Sequence, residues 1–237
     1  MIVLEESTGF RVWRDHTRNA PGLGVASDRL EACMAYYQSG GFRGLFGNPS
    51  FGFQQDNLDF LSQAKDAQWL WFWDIHLKNI DALYELDQIN YMGIHPKRPG
   101  IDFERLPSLR LVINHWIKKD VGIANSKIQE YNLWHYKPTS KSFDGLEIPS
   151  GVTRMEITWA NPATLDGLPV MKKLKELQFH RCRNLADLSA LPRIAPNLTK
   201  LLTTTSSKID TTAGVLDHPK LKMALFDGKF VIGGEDD

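Results

Sequence analysis

Three histidines, His76, His95 and His115, recur at similar intervals along the first half of the chain, and Asp15–His16 sets a carboxylate beside an imidazole. Imidazoles stacked along one edge could chelate zinc. No cysteine or carboxylate recurs with them, and polar turn residues account for them more simply, so no metal is expected. The Asp15–His16 pair has no nucleophile placed near it by the sequence. GxSxG, GxxxxGK[ST], HExxH and CxxC are all absent, so neither catalysis nor a cofactor is expected. The more informative residues are the alternating tryptophans of Trp69-Leu70-Trp71-Phe72-Trp73-Asp74, because exposed tryptophan is a residue type of interface hot spots.

A strand sends successive side chains to opposite faces, so this stretch is apolar on both, and the question is which face is core. Composition frames it. With 237 residues, 42% hydrophobic and 24% charged, the chain can bury a sizeable core. Lys plus Arg equals Asp plus Glu at 28 each, which leaves no excess basic field for nucleic acid or anionic lipid. The N-terminus carries early acids rather than a basic-then-apolar leader, and no apolar run is long enough to span a bilayer. Only Cys33 and Cys182 are present, which fits a reducing compartment and makes cytoplasm the expected location.

The face is settled by a repeat. Residues 174–182, LKELQFHRC, and 106–114, LPSLRLVIN, both satisfy LxxLxLxxN/C. With the middle apolar residue as anchor, related segments fall at Leu70, Ile89, Leu109, Tyr131, Met155, Leu177, Leu201 and Ala224, roughly 19 to 24 residues apart, near the 20–29 residue period of leucine-rich repeats. His76, His95 and His115 each lie six residues past an anchor. Three before each anchor stand Ala67, Leu86, Leu106, Ile128, Val152, Leu174, Leu198 and Leu221; two after stand Phe72, Tyr91, Leu111, Leu133, Ile157, Phe179, Thr203 and Phe226, of which only Thr203 breaks the apolar pattern. A frame shifted by one would bury Arg110, Glu130, Arg154, Glu156 and Lys200, each a heavy desolvation cost unless paired. Leu70 and Phe72 therefore point inward and the tryptophans outward.

Between strands, RNLADLSALP and ATLDGLPV are too short for long helices, and Pro169 and Pro192 interrupt them. Short helical or 3₁₀ turns are expected there. Residues 1–41 read as an N-terminal segment with a capping helix, DRLEACMAYYQ, starting at Asp28 as N-cap and ending at Gly40 and Gly41. Within that segment MIVL and FRVW could pair as a hairpin. GLFGNP reads as a degenerate first strand, DNLDFLSQAKD as a second helix, and FVIGG as a terminal strand before an acidic tail. Residues 42–237 form the repeat body.

The outward positions give an aromatic patch of Trp69, Trp71 and Trp73, then Arg110, Glu130, Arg154, Glu156 and Glu176, with Trp134, Trp159 and His180 at the strand ends. The first three tryptophans could instead pack under the N-terminal segment, and the charged middle could be a solvated face of cross-strand pairs.

LKELQFHRC, NLADLSALP, LPSLRLVIN and HPKLKMALF give the chain a resemblance to bacterial leucine-rich-repeat proteins of the short, internalin-like, stand-alone class. The resemblance covers roughly residues 42–230 and leaves the first 27 unmatched. It implies an α/β fold: a right-handed solenoid with a parallel concave sheet of about eight or nine strands, short helical or 3₁₀ turns on the convex side, and an N-terminal helical cap. Some proteins of this kind act as immunity proteins that neutralise a cognate toxin. The expected function is non-enzymatic binding of a protein partner on the concave face, through Trp69, Trp71, Trp73, Arg110, Glu130, Trp134, Arg154, Glu156, Trp159 and His180. Carbohydrate binding by stacked tryptophans is the alternative, and self-association a third.

Overall fold

The computed structural model describes residues 2–5, 8–14, 20–206 and 208–233. Its strands form a single, unclosed sheet of thirteen whose spatial order follows the chain. They are β1 (Ile2–Glu5), β2 (Phe10–Trp13), β3 (Gly22–Gly24), β4 (Gly44–Gly47), β5 (Trp69–Phe72), β6 (Tyr91–Ile94), β7 (Leu111–His115), β8 (Glu130–Trp134), β9 (Arg154–Thr158), β10 (Glu176–His180), β11 (Lys200–Thr204), β12 (Met223–Phe226) and β13 (Lys229–Ile232). β3 to β6 pair in parallel, as do β8 to β12, while β1–β2–β3 and β12–β13 are antiparallel. The sheet is thus mostly parallel, helices are few, and the class is α/β. Thirteen strands exceed the expected eight or nine: β3 to β12 make ten, and the antiparallel β1, β2 and β13 account for the other three. The MIVL/FRVW hairpin and the FVIGG strand are among them.

By its contacts the chain divides into two compact units, Met1–Val112 with Ile117–Gly122, and Ile113–Trp116 with Ile123–Asp237. Within each unit the entry to most rungs of the parallel sheet repeats one main-chain joint. A single carbonyl accepts from two successive N–H groups of the next rung: Arg43 O from Gln68 and Trp69, Gln68 O from Asn90 and Tyr91, and Asn90 O from Arg110 and Leu111. In the second unit Gln129 O, Thr153 O and Lys175 O do the same for the pairs beginning at Thr153, Lys175 and Thr199.

This joint fixes the frame and corrects it at two rungs. Leu70 lies opposite Met92 and Phe72 opposite Ile94, so the anchor of β6 is Met92, not Ile89, and Tyr91 is outward. In β7 the buried residues are Val112 and Asn114, not Leu109 and Leu111. Ile89 and Leu109 are still fully buried, three residues earlier in the rung. With the frame moved, His95 and His115 fall three residues past their anchors while His76 stays six past Leu70, so the three do not share a position. Elsewhere the frame holds: Leu174, Leu177, Phe179 and Cys182 are all buried, and Thr203 is too, at 1% exposure.

The helical turns within the connections are short, as expected. The second expected helix is only a five-residue 3₁₀ turn at Asp59–Gln63. The helix α1 spans Leu30–Ser39 and stops at Gly40. A 3₁₀ turn at Ser27–Arg29 precedes it and no side chain caps it, so Asp28 is not its N-cap. In the first unit, Arg98 and Asp120 form a buried two-point ion pair, with contacts of 2.6 and 3.0 Å.

Trp69 corrects another expectation. It is 4% exposed, its Nε1 donates to Ala20 O at 3.3 Å, and its ring meets Trp13 edge-on at 5.8 Å. It lies across two glycines, since a Cβ at Gly44 or Gly22 would sit 1.8 or 2.1 Å from its ring atoms. Gly44→Ala is therefore expected to cost about 1–3 kcal/mol by overpacking, seen as a lower urea midpoint. Gly93→Ala, beneath the half-exposed Trp71, should cost less because that ring can swing aside.

Candidate functional site

Six of the expected surface residues come together in the second unit. Alternation along β8, β9 and β10 sends Tyr131, Leu133, Met155, Ile157, Leu177 and Phe179 to the core. Glu130, Trp134, Arg154, Glu156, Gln178 and His180 are left on the other face. Register then sets Glu130, Arg154, Glu176 and Lys200 side by side. Arg154 lies 3.6 Å from Glu130 and 3.5 Å from Glu176, and Lys200 lies 3.6 Å from Glu176. Arg154 is 48% exposed, so each pair is worth only a few tenths of a kcal/mol. The ladder nevertheless neutralises its own charges.

Beside it, at the strand ends, lies a cleft of about 400 Å³ lined by Trp134, Glu156, Trp159, Gln178, His180 and Leu202 among others. Trp134 and Trp159 meet at right angles, 5.5 Å between ring centres. His180 lies edge-on to Trp159 at 6.2 Å, and its Nδ1 is 2.6 Å from Thr204 Oγ1. Thr158 Oγ1 donates to Glu156 at 2.8 Å, and Gln178 Nε2 donates to Glu176. Trp134 Nε1 is buried with no hydrogen-bond partner among the described residues, a departure from the rule that buried polar atoms are matched.

The strand ends are held by an unusual backbone. His135, Trp159 and Arg181, each just past its strand, have φ of 58°, 55° and 54°, a region bulky residues seldom occupy. Their side chains stack in sequence. His115 lies over His135 at 5.5 Å, His135 over Trp159 at 4.7 Å and 11°, and the Arg181 guanidinium lies 5.4 Å from the Trp159 ring centre. Beneath, Cys182 donates to Ile157 O at 3.3 Å, and burial pushes its thiol up to about 11, so it is no thiolate at neutral pH. The site thus combines aromatic rings, one indole N–H at Trp134 unmatched among the described residues, and a charge ladder that neutralises itself.

In the first unit, Trp71 stacks on Tyr91 at 6.1 Å and 16°, tilts against Trp73 at 6.1 Å, and lies on Gly93. Trp73 meets Phe51 edge-on at 5.7 Å. Both tryptophans are half-buried; Trp69, as described, is not at the surface. Arg110 is not in the outward row either. It precedes β7, at the joint, and its guanidinium donates to the carbonyls of Pro107 and Leu109. Asp15–His16 and the acidic tail lie outside the described residues. Among the described residues no group of three or more His, Cys, Asp or Glu could hold a metal ion, and no helix is long and apolar enough to cross a membrane.

Comparison of the chain with protein-family models, with curated proteins and with solved structures finds no match. Sequence reasoning missed Tyr91, Leu111 and Ile113, which the corrected frame turns outward, and Lys137, Arg181 and Arg183, which follow their strands. The recurrence of a bulky residue four places after an anchor, as in His135, Trp159 and Arg181, was the available signal for the last group.

Proposed function

We propose that the chain is a leucine-rich-repeat solenoid that binds a protein partner without catalysing a reaction, the outward face of its parallel strands being the concave, partner-binding face. Its convex side would then carry the short helical turns, and α1 would serve as the N-terminal cap. The sequential strand order and the repeated joint support the solenoid; LKELQFHRC supports the repeat class. The observation that carries the binding function is the Trp134–Trp159–His180 cleft beside the Glu130–Arg154–Glu176–Lys200 ladder. Large rings supply contact area at low entropic cost, and flanking charges set orientation and encounter rate. A toxin polypeptide is the partner the sequence resemblance adds to this reading. Two free, buried cysteines agree with a reducing, cytoplasmic setting.

The stacked rings weigh against carbohydrate as ligand. Trp159 has His135 on one face and the Arg181 guanidinium 5.4 Å from its ring centre, and Trp71 has Tyr91 on one face and Trp73 tilted against it at 6.1 Å, so little ring surface is left for a sugar to stack on. The test is affinity for a partner captured on the immobilised chain, identified and then purified. Trp134→Ala and His180→Ala are each expected to weaken it roughly tenfold or more with thermal unfolding little changed. Unaltered affinity in both would overturn the assigned face.

A further inference from the structure

A second cleft opens on the other side of Trp159. It holds about 480 Å³ and is lined by Lys137, Trp159, Asn161, Arg181, Arg183 and Asn184 among others. No carboxylate lines it, and among the described residues Lys137, Arg181 and Arg183 form no ion pair. The contrast with the adjoining face is sharp. There Arg154 and Lys200 are matched to Glu130 and Glu176; here three cations line one cleft unmatched, in a chain whose charges balance overall at 28 and 28. Like charges held together repel one another, and nothing in the core requires them, since all three side chains are exposed.

Arg181 adds an independent mark. It sits at φ 54°, where glycine carries no Cβ penalty, yet the position holds a long cation laid over the Trp159 ring. We infer that this cleft receives an acidic segment of the protein partner, with Asp or Glu side chains set between Lys137, Arg181 and Arg183. This rests on the reading of the chain as a protein-binding module and adds the chemistry of what it binds. Arginine forks match carboxylates two points at a time. The volume exceeds what one small oxyanion fills, and the Trp159 ring already carries His135 on one face and the Arg181 guanidinium 5.4 Å from its centre.

The test is a titration of the intact chain with three probes, N-acetyl-Glu-Gly-Glu-Gly-Glu-amide, its glutamine counterpart and inorganic phosphate. Arginine Nε–H and tryptophan indole resonances are followed by NMR. The glutamate peptide is expected to shift the Arg181, Arg183 and Trp159 signals saturably and in a salt-sensitive manner, while the glutamine peptide does not. Arg181→Gly, whose backbone glycine suits, should keep or raise the melting temperature while weakening the glutamate peptide roughly tenfold; Arg183→Gln should weaken it with the fold unchanged. Equal shifts from the glutamine peptide, phosphate binding as tight as the glutamate peptide, or full affinity in both variants would each overturn the proposal. Peptide binding that survives when Trp134→Ala leaves partner affinity untouched would sink the assigned face alone. Partner affinity lost in Trp134→Ala but kept in Arg181→Gly and Arg183→Gln would sink the acidic-segment assignment alone.

Discussion

Asp120→Ala is expected to lower the free energy of unfolding by about 3–5 kcal/mol, the range for removing one member of a buried ion pair. The two side chains are 1% and 2% exposed, so the Arg98 guanidinium would be left charged, dehydrated and without its carboxylate. Asp120 also accepts from Ile101 N–H at 3.0 Å, and that donor would be orphaned as well. Arg98 donates to Pro99 O at 3.0 Å, but a carbonyl cannot neutralise a cation. Arg98→Met with Asp120→Leu should recover part of the loss, because no buried charge remains, though the Ile101 N–H still lacks its acceptor. Urea unfolding at neutral pH measures both. A single variant within about 1 kcal/mol of wild type would mean that the guanidinium escapes to solvent.

Leu177→Ala is expected to cost about 2–5 kcal/mol, the lost transfer energy plus a cavity. Leu177 is fully buried, between Met155 and Leu201 of the adjoining rungs, and a rigid parallel stack cannot close around the hole. Gln178→Ala, one residue on and facing outward, should change stability by no more than about 0.5 kcal/mol. Its amide is hydrogen-bonded to Glu176 in a partly exposed setting, where water replaces the bond readily. Denaturant unfolding of the two variants side by side reads the frame directly. Equal losses would contradict the burial of alternate residues in β10.

The frame was legible where each rung obeys its own chemistry and illegible where it does not. Around Leu177 every inward residue is apolar and every outward one polar, so one reading is cheapest. Around β7 the cheapest reading is the wrong one. It keeps Leu106, Leu109 and Leu111 inside, whereas the fold buries Asn114 and turns Leu111 and Ile113 out. Burying an asparagine looks unfavourable until its partner is seen: Asn114 Nδ2 donates to Tyr131 Oη at 3.2 Å, a bond to the next rung that local sequence does not disclose. At β6, Ile89 is buried in either frame, so hydrophobicity alone could not separate them. Trp69 failed for a different reason. Its cover is an absence of side chains, at Gly22 and Gly44, on strands far from it in sequence. The aromatic part of the second-unit site was readable, since Trp134, Trp159 and His180 end their strands, but the cationic cleft depends on three left-handed residues that extend the side-chain stack beyond the strands.

The joint at the start of each rung is made of carbonyl and amide alone. Arg, Gln, Asn, Thr and Lys all serve as the accepting residue, because what is used is common to every amino acid. Such a connection constrains geometry while leaving the letter at that place free to drift. Substitutions at these accepting residues can therefore accumulate without loosening the joint, since no side chain is needed to hold it.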